Sequence, residues 1–217
     1  MMESNLLQEI EEDLQRQRFE ALWKRYGKHV IGLVLLIVLT TAAVTGYRSW
    51  RTRTEQSAST GLLAILDAND PDKTKEIAAL EDFAREHPSA NQAIIARLHA
   101  ASLAFKDGKK DKALALYDAI ANDASIEPAF RQLADLYAVQ AQLDTGDPAA
   151  LQARLQPLLT DSPYRYSAKE FSALLALRAG DKAKAKQFYQ ELLQESDVPK
   201  SITERAQDML RWLGGGE

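Results

Sequence analysis

Eighteen consecutive residues without a charge, Val30–Tyr47 (VIGLVLLIVLTTAAVTGY), constrain this chain more than any other feature. A run of that length covers a roughly 30 Å hydrocarbon layer once interfacial residues extend it. Trp23, Lys24 and Lys28 stand before it, and Trp50 stands after it among Arg48, Arg51 and Arg53. Such side chains settle at headgroups, with apolar stems in the bilayer and charges in water. The run predicts one uncleaved transmembrane signal anchor over residues 30–50, held in the lipid bilayer. A cleavable leader is the rival, through the small residues Ala42 and Ala43. Against it, the 29 residues ahead of the run exceed a typical leader's basic segment. A buried core helix would carry polar residues at helical spacing, whereas this run carries no charge and only threonines and glycines besides apolar residues. Basic residues on the two flanks nearly balance. Arg16 and Arg18 tip the count toward a cytoplasmic N-terminus.

The anchor divides the chain into parts of opposite charge. Residues 1–53 hold 8 basic and 6 acidic side chains, whereas residues 54–217 hold 19 and 25. Residues 1–29 have apolar stripes at Leu6, Ile10 and Leu14 and at Phe19, Leu22, Trp23 and Tyr26. They predict a cytoplasmic amphipathic helix, either a docking element or a stem that continues the span. The larger part lacks the clustered Lys and Arg of a nucleic-acid groove, so no nucleic acid is expected. The chain has no cysteine, which removes disulfides and thiolate chemistry.

From Thr54 onward the apolar spacing is helical throughout, with no strand-length alternation. Breaks fall at Asn69–Pro71, His87-Pro88, Lys106–Lys109, Glu127-Pro128, Thr145–Pro148, Ser162-Pro163, Ala179–Asp181 and Asp197–Pro199. These are helix stop-and-start signals between helices of about 10–17 residues. Three of the joints align on Gly108, Gly146 and Gly180, at intervals of 38 and 34 residues. Five residues after each glycine comes Ala113, Leu151 or Ala185, and nine after comes Tyr117, Leu155 or Tyr189. Twelve after comes Ile120, Leu158 or Leu192, and seven before stands Ala101, Val139 or Ala173. Small residues let paired helices approach, the large residue fills the space between pairs, and each glycine is expected to supply the left-handed turn that ends a helix. This layout resembles the tetratricopeptide repeat, with its period near 34. The fold class is therefore all-α: an N-terminal transmembrane helix followed by a tetratricopeptide-like helical-pair solenoid over 54–213. Residues 54–69 and 72–86 cap one end, 201–213 cap the other, and 214–217 form a flexible tail.

No constellation of residues suggests catalysis. Nucleophile elbow, phosphate loop, dinucleotide fingerprint and zinc-protease motif are all missing, and no histidine has another at i+3 or i+4. No enzyme activity, cofactor or metal is expected. The basic turn Lys106–Lys112 reads as a solvated turn or a contact patch. What remains is a binding surface. The first helix of each pair carries Ile95, Leu98 and Phe105, then Leu133, Leu136 and Leu143, then Leu174 and Leu177. Two readings stand for these eight: an apolar groove for a client segment, or the buried core of a short solenoid. Tyr164, Tyr166 and Phe171 carry the same two readings.

The segment Ala21-Leu-Trp-Lys-Arg-Tyr-Gly-Lys28, directly followed by the apolar span and then by ragged repeats, resembles the ancillary SecYEG translocon subunit family of Gram-negative bacteria. That family shows a Trp-Trp-Lys-x-x-Gly-Lys pattern. Trp23, Lys24, Gly27 and Lys28 match it, while Leu22 stands in place of the first tryptophan. The resemblance implies a single-pass protein of the bacterial inner membrane, with cytoplasmic N-terminus and periplasmic solenoid. It also implies association with the Sec translocon and a membrane-anchored periplasmic prolyl isomerase. Its role would be to hand translocated secretory polypeptides, its clients, to periplasmic chaperones. The alternative is a structural scaffold that organises an envelope or cell-division complex.

Overall fold

The computed structural model describes residues 36–47, 56–68, 71–88 and 91–214. The chain separates into two compact units, Met1–Thr54 and Glu55–Glu217. In the first unit, residues 36–47 form a helix, α1, with every residue exposed. Thr40 and Thr41 donate their hydroxyls to the carbonyls of Leu36 and Ile37 at 2.7 and 2.8 Å. This is how a hydroxyl finds a partner within its own helix. Among the described residues no helix is long and apolar enough to cross a membrane. The rest of the 30–50 run, the 1–29 segment, and Trp23, Lys24, Lys28 and Trp50 lie outside the described residues.

The second unit is helical, with no strand among the described residues. Residues 56–68 form α2. Then follow α3 (Lys73–Glu86), α4 (Asn91–Lys106), α5 (Lys110–Ala121), α6 (Pro128–Gln142), α7 (Pro148–Leu155), a 3-10 turn (Gln156–Leu158), α8 (Arg165–Arg178), α9 (Lys182–Gln194) and α10 (Lys200–Gly214). From α3 onward each helix packs mainly on its neighbours in sequence. The first helices of successive pairs also touch: α4 with α6, α6 with α8, α8 with α10. The helix starts follow from short polar side chains. Asp72, Asp147 and Asp181 accept from the backbone N–H groups of Thr74, Ala150 and Lys184 at 3.0, 3.0 and 2.9 Å. Each such cap contributes about 1 kcal/mol. Pro128 and Pro148 occupy first-turn positions, where a missing N–H costs nothing. Gly214 ends α10 rather than opening a tail, and residues 215–217 lie outside the described residues.

All twelve positions of the glycine-centred register are buried. Ala101, Val139 and Ala173 are fully inside, as are Ala113 and Ala185, with Leu151 at 4 % exposure. Tyr117, Leu155 and Tyr189 fill the next layer, and Ile120, Leu158 and Leu192 the last. Each large side chain among them contributes about 1.5–3 kcal/mol by leaving water. The core runs through three clusters, from Ala58 to Ala138, from Leu136 to Leu175, and from Tyr166 to Ala206.

The three glycines are not equivalent. Gly108 and Gly180 have φ of 77° and 82°. Lys109 N–H donates to Ala104 C=O and Asp181 N–H to Ala176 C=O, both at 2.9 Å, with the inner bonds Gly108 to Phe105 and Gly180 to Leu177. These are Schellman closures, which need a left-handed residue at that point. Gly146 is not left-handed, contrary to the expectation from the alignment. A Cβ there would meet Leu151 Cδ1 at 3.0 Å and Gln142 Cβ at 3.1 Å. Its reason is close approach, forced by the leucine that replaces alanine five residues on. The second helix of this middle unit is also shorter than expected, at 8 residues. Pro157 has no N–H for another α-helical bond, and the chain tightens into the 3-10 turn. Arg154 ties this short helix to α6 and to α5 of the previous pair. Its Nε donates to Asp135 Oδ1 at 2.7 Å, and its other nitrogen lies 2.7 Å from Asp118 Oδ1.

Candidate binding groove

Because side chains three and four apart share a helix face, a first helix offers two stripes: one into the core, one onto the neighbouring first helix. The core stripe of α4 is made of small residues, Ala93, Ala96, Ala100, Ala101 and Ala104. Its larger residues Ile95, Leu98 and Phe105 are left to the other stripe. Ile95 is 46 % exposed; Leu98 and Phe105 are half-buried. Together with Leu133 and Tyr137 of α6 they line a cavity of about 430 Å³, with Tyr117 of α5 at the back. The rings of Tyr117 and Tyr137 lie 5.7 Å apart at 44°. Burial, then the neighbouring Tyr137, pushes the Tyr117 hydroxyl up to about 12, against a hydrogen bond with Ser102.

A second cavity, of about 500 Å³, is lined from α6, α8, α9 and α10. Gln140 of α6 borders both. Phe171 and Leu174 of α8, Tyr189 of α9 and Arg205 and Met209 of α10 line it, with Glu170 inside. Glu170 is 8 % exposed and accepts two hydrogen bonds from Arg205, at 2.5 and 2.7 Å. A forked pair of this kind satisfies both carboxylate oxygens and offsets the cost of burying the charge. Burial first and the Glu170 charge second push the Tyr189 hydroxyl up to about 12. Beside it, Lys169 and Arg165 of α8 hold Glu195, at 2.5 and 3.3 Å. Burial works against the Glu195 carboxylate, but those two hydrogen bonds prevail and lower its pKa.

The eight apolar residues singled out from the sequence divide between groove and core. Ile95, Leu98, Phe105 and Leu133 line the first cavity, Leu98 and Phe105 while also packing against the first core, and Leu174 lines the second. Leu136, at 5 % exposure, belongs to the middle core with Val139 and Leu155. Leu143 packs against that same core, and Leu177 against the last one. Leu136, Leu143 and Leu177 therefore face inward. Tyr166 belongs to the last core; Tyr164 and Phe171 both pack against the middle one, and Phe171 also lines the second cavity. Tyr137 was missed in the sequence, although it lies four residues from Leu133 on the same stripe. Arg205 and Met209 were missed because α10 reads as an end cap. The spacing 205, 209 marks a second stripe beside the buried Ile202 and Ala206.

Two of the four lysines of the basic turn are tied down. Lys109 donates to Asp107 at 2.7 Å and Thr74 at 2.6 Å, and Lys112 to Glu81 at 3.0 Å. His87 stacks on Phe83 with centroids 4.7 Å apart, and His99 lies 3.9 Å from Glu76. Among the described residues no three His, Cys, Asp or Glu side chains converge as a metal site. The arrangement offers apolar and aromatic walls with hydrogen-bonding edges, which suits holding a polypeptide segment.

A family model described as a tetratricopeptide repeat-like domain matches residues 20–210. No curated protein and no solved structure gave a significant match.

Proposed function

We propose that this chain, which belongs to the tetratricopeptide repeat-like domain family, is a non-enzymatic adaptor that holds protein segments in the groove along α4, α6, α8 and α10. The observation that carries the reading is the pair of adjoining cavities walled by first helices, with large apolar side chains left partly in water. Ile95, Leu133 and Leu174 belong to none of the three core clusters.

The adaptor is tethered to the bacterial inner membrane through residues 30–50, N-terminus cytoplasmic and solenoid periplasmic. The uncharged run Val30–Tyr47, its Trp and Lys flanks, and the match of Trp23, Lys24, Gly27 and Lys28 to the ancillary SecYEG subunit pattern support this. Its partners are the Sec translocon, a membrane-anchored periplasmic prolyl isomerase and secretory polypeptides in transit. A tether beside an exit pore raises the effective concentration of groove and emerging chain to about the millimolar range.

Two experiments test the reading. Alkaline phosphatase fused to the C-terminus is active in intact cells if the solenoid is periplasmic; an inactive fusion reverses the topology. Affinity purification from detergent-solubilised membranes, read by mass spectrometry, recovers translocon subunits. Their absence, with one folded envelope complex recovered instead, replaces the adaptor by a scaffold.

A further inference from the structure

We infer that the first cavity takes an aromatic side chain of an extended polypeptide whose neighbouring residue is an aspartate or glutamate. This rests on the adaptor reading and adds a recognition rule to it. The aromatic part follows from the walls. Phe105, Tyr117 and Tyr137 surround a space of about 430 Å³, and aromatic rings favour tilted or offset aromatic partners. The rim residues Ile95 and Tyr137 are exposed, so a guest ring covers apolar surface that the fold leaves open.

The acidic part follows from charge. The lining contains Lys106 and no carboxylate; His99, also in the lining, already lies 3.9 Å from Glu76. Lys109 and Lys112 of the same turn are taken by Asp107 and Glu81. Lys106, an exposed residue of the lining, has no carboxylate partner among the described residues, so no ion pair there offsets its charge. The second cavity differs. Its Arg205 is spent on Glu170, and its Asp208 pairs with Arg211. A client carboxylate thus has a complement at the first cavity and none at the second.

The test uses the full chain in detergent or nanodiscs and fluorescein-labelled peptides, acetylated and amidated so that no terminal charge competes. They differ only at a central Trp-Asp, Trp-Asn, Trp-Lys or Ala-Asp pair. Trp-Asp binds tightest by anisotropy. Asn in place of Asp weakens binding roughly two- to fivefold, the range of an exposed ion pair. Ala in place of Trp weakens it about tenfold or more. Lys106→Glu reverses the order of the Trp-Asp and Trp-Lys peptides, and Lys106→Gln levels it. Lys106 is exposed, and an unchanged circular-dichroism melt shows that either variant is folded. Equal affinity for Trp-Asp, Trp-Asn and Trp-Lys overturns the inference, as does an order that Lys106→Glu leaves unchanged. Binding that ignores Lys106 and Tyr137→Ala but is lost in Leu174→Gln puts the occupant in the second cavity. That overturns the inference while leaving the adaptor reading intact. Failure of every peptide to bind counts against both.

Discussion

The outer repeat units, centred on Gly108 and Gly180, and the middle unit, centred on Gly146, occupy the same register with different physics. The outer pair has alanine at the close-approach position, tyrosine in the layer behind it, and a left-handed glycine that closes a Schellman turn. The middle unit has leucine at both positions, a glycine that makes room for one of them, and a second helix cut short before Pro157. Helix-pair stacking therefore depends on a conserved volume at the joint rather than on one residue pattern. What the leucines add in bulk, the glycine and the shortened helix return. Arg154, bridging Asp118 and Asp135, replaces part of the packing a full-length helix would give.

The largest effect expected is from the middle layer. Leu155→Ala empties a fully buried site at the centre of the chain and should cost about 2–5 kcal/mol in urea unfolding. A loss below about 1 kcal/mol would mean that the middle unit is loosely packed. Next come the glycines. Gly108→Ala and Gly180→Ala should each cost about 1–2 kcal/mol, because the left-handed conformation is strained for alanine whatever surrounds it. Gly146→Ala should be destabilising through Leu151, so Gly146→Ala combined with Leu151→Ala should cost less than the sum of the single changes. Additivity there, or rescue of Gly108→Ala by a neighbouring truncation, would erase the distinction between the units.

The tyrosines give a pH signature that is strongest in the outer units, with a smaller rise at Tyr164 through burial and then Tyr137. Tyr117 and Tyr189 have hydroxyls raised to about 12 from an ordinary value near 10. The fold favours their neutral forms, so this stability is complete below pH 10 and is lost as pH rises toward 12. A Tyr117→Phe/Tyr189→Phe double variant should show a flatter fall in melting temperature over that window; a parallel fall would place the alkaline sensitivity elsewhere. Smallest is the staple. Arg154→Gln should cost about 1 kcal/mol, since both ion pairs are part-exposed. The double change Asp118→Asn/Asp135→Asn should then add little.

The joints, the helix pairing and the buried register were legible because each rests on local rules: caps, glycine turns and 3.6-residue spacing. What lay beyond reach depends on distance along the chain. Glu170 and Arg205 are 35 residues apart and find each other only once α8 and α10 are packed. Leu133 and Leu136 look alike in sequence, and only the position of the neighbouring helices sends one to the groove and the other to the core. Gly146 aligned with the other two glycines, and its different role became visible only with Leu151 in place. Pro157 was visible, but its shortening of α7 is masked by the apolar Leu155, Leu158 and Leu159, which continue the helical spacing through it.

Site-specific photo-crosslinking in living cells tests the central claim, that the face built by first helices is where polypeptide is held. A photoreactive residue is placed at Leu98 or Leu174 in the groove, or at Leu193, an exposed position on the second helix of the last pair. The account predicts adducts with secretory polypeptides at Leu98 and Leu174, and few at Leu193. Adducts concentrated at Leu193, with the groove positions silent, would contradict it.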